Sequence, residues 1–431
     1  MKILLEFIAL LMSVGAPIHW AAIDFKKNIL AILFFIIYGS YVVWPLILIH
    51  EFSLNHYLDI QVDAYIQFGL AVDIVFMGLF LIVYELSRKN PKIVDTHQKN
   101  INNELIHKFV LAMYSSFFAI IFLNNYLGDV DLIGKWLGYT NQMTYGVKGL
   151  TYYLQNLVDC LVILILLGYA SNMRRAYLML MLAGAIFFII PFGFRYRIIY
   201  LILGFLILFI YKNQLSIKKI TAFATAILCL TLIFLFLGAN RTVIVGQDLK
   251  SNYTFQLLDV KKVIMQARGS YVDLAIYKGI DNGDISHDQG KSFFYYLAVR
   301  AIPAGFFEEG KKPYPPILMS DVDKVLNLHS PPDCPGCRTG EAQTIMGAVY
   351  YSFGLWGIGL VAVILAYLLA FYARLQSTGL SQLWGIAFLL ALFMFVTRGY
   401  FPQVVDNWFY LVLPLVLLWT YTFFCDRSVR A

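Results

Sequence analysis

Charge is scarce in this chain. Only 14% of its 431 residues are Asp, Glu, Lys or Arg, about half the share of an ordinary soluble protein, while 60% are apolar and 16% aromatic. Mean hydropathy is +0.70. Such a balance cannot be solvated as a globular surface, which excludes a disordered tail and a nucleic-acid binder and leaves a membrane as the solvent. Cysteine is also sparse. Five residues are too few for a disulfide scaffold, and Cys160, Cys229 and Cys425 lie in or at the edge of apolar runs, where they read as small hydrophobes. Phosphate-binding signatures are missing: there is no Walker A loop and no Gly-x-Gly-x-x-Gly following a strand. The histidines form no cluster. The loop His50–Asp59 carries acids but no Asp-x-Asp pair, which argues against metal-dependent nucleotide-sugar chemistry. No internal repeat is visible.

Long apolar runs are what the chain has in quantity. They recur at about 3–22, 29–49, 64–84, 109–127, 151–170, 176–191, 198–211, 220–238, 343–372, 382–397 and 408–425. Each is long enough, or nearly so, to cross ~30 Å of hydrocarbon as a helix. The expectation is an all-α polytopic membrane protein of about eleven spans, organised as helices 1–8 (1–238), one large loop (239–342) and helices 9–11 (343–431). The first run is read as a membrane helix rather than a cleaved signal, because Glu6 interrupts it and no small-x-small site follows. Fifteen basic residues fall on one alternating set of connections, from Lys26 and Lys27 through Arg174 and Arg175 to Arg427 and Arg430. By the positive-inside rule that set is cytoplasmic, with the amino terminus outside and the carboxyl terminus inside.

The loop 239–342 carries 12 basic and 12 acidic residues and so reads as a water-facing unit on the outer side. Phe255, Leu258, Ile264, Ala267, Tyr271, Leu274 and Tyr277 recur at helical spacing, and a second amphipathic stretch runs from Phe293 to Ile302. Seven prolines between 303 and 335 then predict an extended, turn-rich return to the membrane.

The informative bases are those that break the charge rule. Arg195 and Arg197 occupy the turn between the sixth and seventh spans, Arg241 follows the eighth and Arg398 the tenth, all at the expected outer boundary. An arginine there is costly unless paired or used. Planar guanidinium forks suit a pyrophosphate ligand, since they match phosphate oxygens in pairs and keep their charge at any pH. The bland alternative is snorkelling to the interface or pairing with a loop carboxylate.

Glu341, at the outer start of the ninth span, is a candidate general base, because a carboxylate beside an apolar helix start has its pKa raised. It is equally a helix cap, with Thr339 to Glu341 in the first turn. Glu308, Glu309, Asp321, Asp323 and His329 are alternatives. Asp73 and Asp159 lie inside the third and fifth runs and read as interhelical hydrogen-bonding positions. No base deep in another span is evident to make a proton-relay chain. Cys334-Pro-Gly-Cys337 reads as a disulfide that pins the loop near Arg338 and Glu341. A redox pair, or a zinc site completed by His329 and Asp333, remains open.

Two stretches carry a resemblance. Gly193-Phe-Arg-Tyr-Arg197 looks like a Gly-x-Arg turn, and Gly340-Glu followed by Gly347-Ala-Val-Tyr-Tyr-Ser-Phe-Gly-Leu-Trp-Gly357 is similar to a Tyr-x-x-Phe-Gly-x-x-Gly entry to a late span. With the span count and the single large loop, the chain resembles the Wzy-type O-antigen or oligosaccharide repeat-unit polymerases. The resemblance implies a GT-C type glycosyltransferase of the bacterial inner membrane, active at the periplasmic face without a metal or other cofactor. Its substrates would be undecaprenyl-diphosphate-linked saccharides in the bilayer, with a chain-length regulator and a flippase as partners. Arg195, Arg197, Arg241 and Arg398 would then contact diphosphate, Arg338 sugar or phosphate, and Glu341 would be the base. Tyr295, Tyr296, Tyr314, Tyr350, Tyr400 and Trp408 would stack on sugars. An O-antigen ligase and a non-enzymatic polysaccharide exporter or transporter are the competing readings.

Overall fold

The computed structural model describes residues 2–51, 63–89, 103–127, 154–189, 195–213, 269–301, 306, 343–375 and 379–428. The described residues are helical, with no strand among them. In chain order they form α1 (Lys2–Tyr38), α2 (Trp44–Glu51), α3 (Asp63–Arg88), α4 (Asn103–Leu127), α5 (Val158–Ala170) and α6 (Arg175–Ile189). These are followed by α7 (Arg195–Lys212), α8 (Gly269–Asp281), α9 (Tyr296–Ala301), α10 (Ile345–Arg374), α11 (Gly379–Arg398) and α12 (Phe401–Ser428). Among the described residues six stretches are long and apolar enough to cross a membrane: Lys2–Leu48, Tyr65–Arg88, Asn103–Leu127, Ile345–Arg374, Ser381–Arg398 and Phe401–Phe423. They mark a polytopic membrane protein. α5 and α6 are apolar but shorter, and the expected eighth run, 220–238, lies outside the described residues.

The chain divides into two compact units. The first comprises 1–92, 260–374 and 391–406. In it the two expected N-terminal runs appear as one helix interrupted at Asp24, whose φ of −160° and ψ of 93° are extended. The Asp24 carboxylate accepts the Lys27 N–H at 3.1 Å, so it caps the second half. The halves fold back on each other: the Trp20 and Phe35 rings meet edge-on at 5.1 Å, and the Trp44 indole donates to the Ser13 hydroxyl at 3.1 Å.

A break in a helix frees backbone carbonyls that need new partners. Buried Asn28 takes up this deficit. Its amide donates to the Trp20 carbonyl at 3.2 Å and to the Asp24 carbonyl at 2.9 Å, while its own oxygen accepts the Tyr84 hydroxyl at 2.9 Å. Aromatic rings fill the space beside it, with Phe34 stacked on Phe80 at 5.3 Å and Tyr38 on Phe76 at 4.9 Å. A second irregularity follows. Pro45 has no N–H to offer its preceding turn, and the chain widens just before it into a π-turn at Gly39–Val43, where the Trp44 N–H reaches the Gly39 carbonyl.

α3 packs on α1 and α10 in this unit, and α8 packs on α3 and α10. α8 matches the later part of the amphipathic stretch read between Phe255 and Tyr277; Lys291–Ala301, a π-turn leading into α9, matches the second stretch. α10 is broken too. Gly354 has a φ of 63° and a ψ of −155°, a left-handed backbone that side chains resist. It separates a short first segment from a second one of spanning length. The glycine of the Tyr350-x-x-Phe353-Gly354-x-x-Gly357 pattern is therefore a helix break.

The second unit comprises 93–259, 375–390 and 407–431. α5 is its buried centre and packs against α4, α6 and α7, with every residue from Val158 to Gly168 buried. Cys160, buried among them, donates its thiol to the Tyr410 carbonyl at 3.1 Å, in keeping with the small-hydrophobe reading.

Replacing Asn28 with Ala removes the amide that donates to the Trp20 and Asp24 carbonyls and accepts the Tyr84 hydroxyl. A loss of about 1–3 kcal/mol follows from orphaning groups of this kind. The Asn28→Ala protein should show a lowered thermal unfolding midpoint in detergent, and an unchanged midpoint would remove this account of the Asp24 break.

Candidate functional site

In the first unit a loop-derived helix meets the start of a membrane helix. α8 presents Ser270, Asp273 and Tyr277, three buried residues at three- and four-residue spacing. The Thr344 N–H donates to Asp273 Oδ1 at 2.8 Å, and the Thr344 hydroxyl donates to Asp273 Oδ2. Thr344 is itself the N-cap of α10, its Oγ1 accepting the Met346 N–H at 3.1 Å. A carboxylate at a helix N-terminus also meets the positive end of the helix dipole. Gly347 makes the close approach possible, because a Cβ there would overlap Asp273 Oδ1. Burial pushes the Asp273 carboxyl up to about 7, against the bonds from Thr344 and Gly347 that favour its charged form.

The same junction holds Gly399, which follows Arg398 with a φ of 54°. It ends α11 by donating its N–H to the Phe395 carbonyl at 2.9 Å. A Cβ at Gly399 would overlap the Thr344 carbonyl oxygen and crowd that of Gln343. The backbone after Arg398 thus lies directly on the backbone that opens α10. Arg398 is exposed and Tyr400 half-buried; the Tyr400 carbonyl accepts the Gln403 N–H at 3.1 Å at the start of α12. Tyr350, one turn into α10, meets Tyr277 at 4.8 Å and His287 at 5.4 Å.

Several sequence expectations need correction or qualification here. α10 begins at Ile345 with Thr344 as its cap, and the cap reading of Thr339 to Glu341 falls on residues outside the described ones. Arg197, expected at an open boundary, is buried in the first turn of α7. Its Nε donates to Asp159 Oδ1 at 2.7 Å and its Nη2 to Asn156 Oδ1 at 3.0 Å. Asp159 is the second residue of α5, and its bond to Arg197 of α7 bears out its reading as an interhelical hydrogen-bonding position. The two ions sit in the first turns of adjacent helices, so the acid does have a basic partner that its depth in the run concealed. Asp73 does act between helices, accepting the Tyr38 hydroxyl at 2.8 Å.

Arg195 is the first residue of α7. Glu341, Arg241, Arg338, Cys334 and Cys337 lie outside the described residues, as do Tyr314, Glu308, Glu309, Asp321, Asp323 and His329. Tyr295 and Trp408 are exposed. Among the described residues no group of three or more His, Cys, Asp or Glu could hold a metal ion. Asp273 was missed by the sequence reading, although its spacing from Ser270 and Tyr277 placed it on the apolar face of an amphipathic stretch. A scan against protein-family models and searches of curated proteins and of solved structures give no match.

Removing one partner of a buried ion pair costs more than removing both, because the survivor stays desolvated. Asp159→Ala should destabilise the protein by about 3–5 kcal/mol, and Asp159→Leu with Arg197→Met should recover much of the loss in a thermal melt. A double variant no better than the single would sink this assignment. Asp273 gives a pH dependence with a defined sign. Its carboxyl titrates near 3.9 when unfolded and at about 7 when folded. Between those values the folded state holds a proton that the unfolded state has lost. Its contribution to stability therefore falls as pH rises from about 4 to about 7 and is level above that. Subtracting the melting profile of Asp273→Asn from that of the parent should isolate this slope.

Proposed function

We propose that the protein is a membrane-embedded glycosyltransferase that polymerises lipid-diphosphate-linked saccharide repeat units. In this reading about eleven helices span the bacterial inner membrane, the loop 239–342 is periplasmic, and the substrates are undecaprenyl-diphosphate saccharides that enter from the bilayer. The carrying observation is the seating of Gly399 on Gln343 and Thr344. It joins the chain beside Arg398 to the chain two residues beyond Glu341, the base and the cation that the chemistry requires. The Gly354 break supports the reading as well, since the stretch that resembles the polymerases' pattern coincides with a kink in α10.

The reaction joins the anomeric carbon of the growing chain to a hydroxyl of the incoming unit. The hydroxyl proton passes to the Glu341 carboxylate as the new carbon–oxygen bond forms. The bond from the anomeric carbon to diphosphate breaks, and its electron pair leaves with the lipid diphosphate. Arg398 stabilises that developing charge, with Arg338 as a further phosphate or sugar contact. Asp273 and Thr344 position this end of α10. Arg197 is assigned a supporting role through Asp159 rather than direct contact with diphosphate.

The test is reconstitution with one defined lipid-diphosphate repeat unit and a readout of product length. A ladder supports polymerisation. Product only when a lipid A core acceptor is added would instead identify a ligase, and no product with substrate crossing the bilayer would identify a transporter. Arg398→Ala should slow turnover by about 100- to 1,000-fold, the usual cost of one electrostatic donor to a developing anion. Glu341→Gln should bind lipid-linked substrate normally and extend it about 100- to 10,000-fold more slowly.

A further inference from the structure

The segment Lys291–Ala301 has two dissimilar faces. Its inner face is fixed to the first unit: the Phe293 ring stacks on Phe401 at 4.7 Å and meets Phe353 at 5.2 Å. The Ser292 and Ser352 hydroxyls share a hydrogen bond of 2.9 Å. Asp288 anchors the entry, accepting the Gly290 N–H at 2.9 Å and the Ser292 N–H at 2.8 Å. The outer face is aromatic and uncovered, with Phe294 66% and Tyr295 54% exposed.

This outer face continues into a surface whose environment the chain already defines. Phe294 meets Phe353 at 6.1 Å. Phe353 lies over Gly357, whose missing side chain makes room for it. Next to Gly357 stands Trp356, 91% exposed, and from it Leu360, Ile364 and Tyr367 run down one side of α10, all exposed. Residues spaced by four, eight and eleven share a helix face, and on a spanning helix an uncovered apolar stripe faces lipid. A tryptophan at the head of such a stripe, beside tyrosine and phenylalanine, has the composition of a membrane–water interface. The adjoining exposed Lys291 fits the headgroup level.

We infer that Lys291–Ala301 lies in the interfacial layer of the bilayer, with Phe294 and Tyr295, like Trp356, in contact with phospholipid. The partner is the lipid surface itself, and the inference holds whatever reaction the protein performs. It turns part of the large polar loop into an in-plane element fastened to the first segment of α10.

Photocrosslinking of the full-length protein tests it. The photoreactive p-benzoylphenylalanine is placed singly at positions 295, 364 and 282, in bilayers of phosphatidylethanolamine and phosphatidylglycerol. Position 364 is on the lipid stripe, and position 282 is in an exposed turn after α8. Irradiation should add the mass of one phospholipid at 295 as at 364, and not at 282. An adduct at 295 to a second copy of the chain or to another polypeptide overturns the inference. So does labelling by lipid at 364 with none at 295, or equal labelling at 295 and 282.

Discussion

Where water is absent, every interruption of a helix has to bring its own hydrogen-bond partners, and the described part of the first unit is organised around that requirement. The break at Asp24 is closed by the Asp24 carboxylate on one side and by Asn28 on the other. The start of α10 is closed by Thr344, which is held in turn by Asp273 from a different part of the chain. Asn28, Thr344 and Asp273 are buried, so their bonds are made in a medium where losing them is expensive, whereas Asp24 caps its helix from an exposed position. The irregular points of the helices are consequently among the most tightly specified positions, and the proposed site is built at one of them.

The second unit meets the same requirement by ion pairing. Arg197 and Asp159 are both fully buried, and Asn156 accepts from a second guanidinium nitrogen. A buried pair of this kind is weak evidence for net stability but strong evidence for a fixed arrangement, since neither charge tolerates a shift away from the other. It registers the start of α7 against the start of α5.

Much of this was legible in the sequence at the level of runs and little of it at the level of partners. Apolar length located the helices, because burying twenty residues in hydrocarbon outweighs local propensity. The periodicity of Leu274 and Tyr277 marked a helix that does form, although it is buried all round from Val272 to Tyr277 and not on one face alone. Position within a run was a poor guide to depth, however. Asp159 reads as central to its run, whereas it is the second residue of α5. Arg197 reads as exposed because it follows a turn, whereas the first turn of α7 buries it. Asp273 escaped notice because a lone acid on an amphipathic helix looks solvated until the partner 71 residues away is known. Glycine positions were the better signal: Gly347, Gly354, Gly357 and Gly399 each coincide with a close approach or a left-handed backbone.

The order of synthesis gives the Asp273–Thr344 bond a further meaning. α8 leaves the ribosome first, and Thr344 follows it by 71 residues. Throughout that interval the face bearing Ser270, Asp273 and Tyr277 exists without the helix that will cover it. Gly354 meanwhile divides α10, so that the stretch able to insert by its own hydrophobicity is the part beyond the glycine. The nine residues from Ile345 to Phe353 are too short to be retained by lipid alone. In the folded protein their first turn is held by Asp273 of α8, so a later-made segment is tied to an earlier-made one.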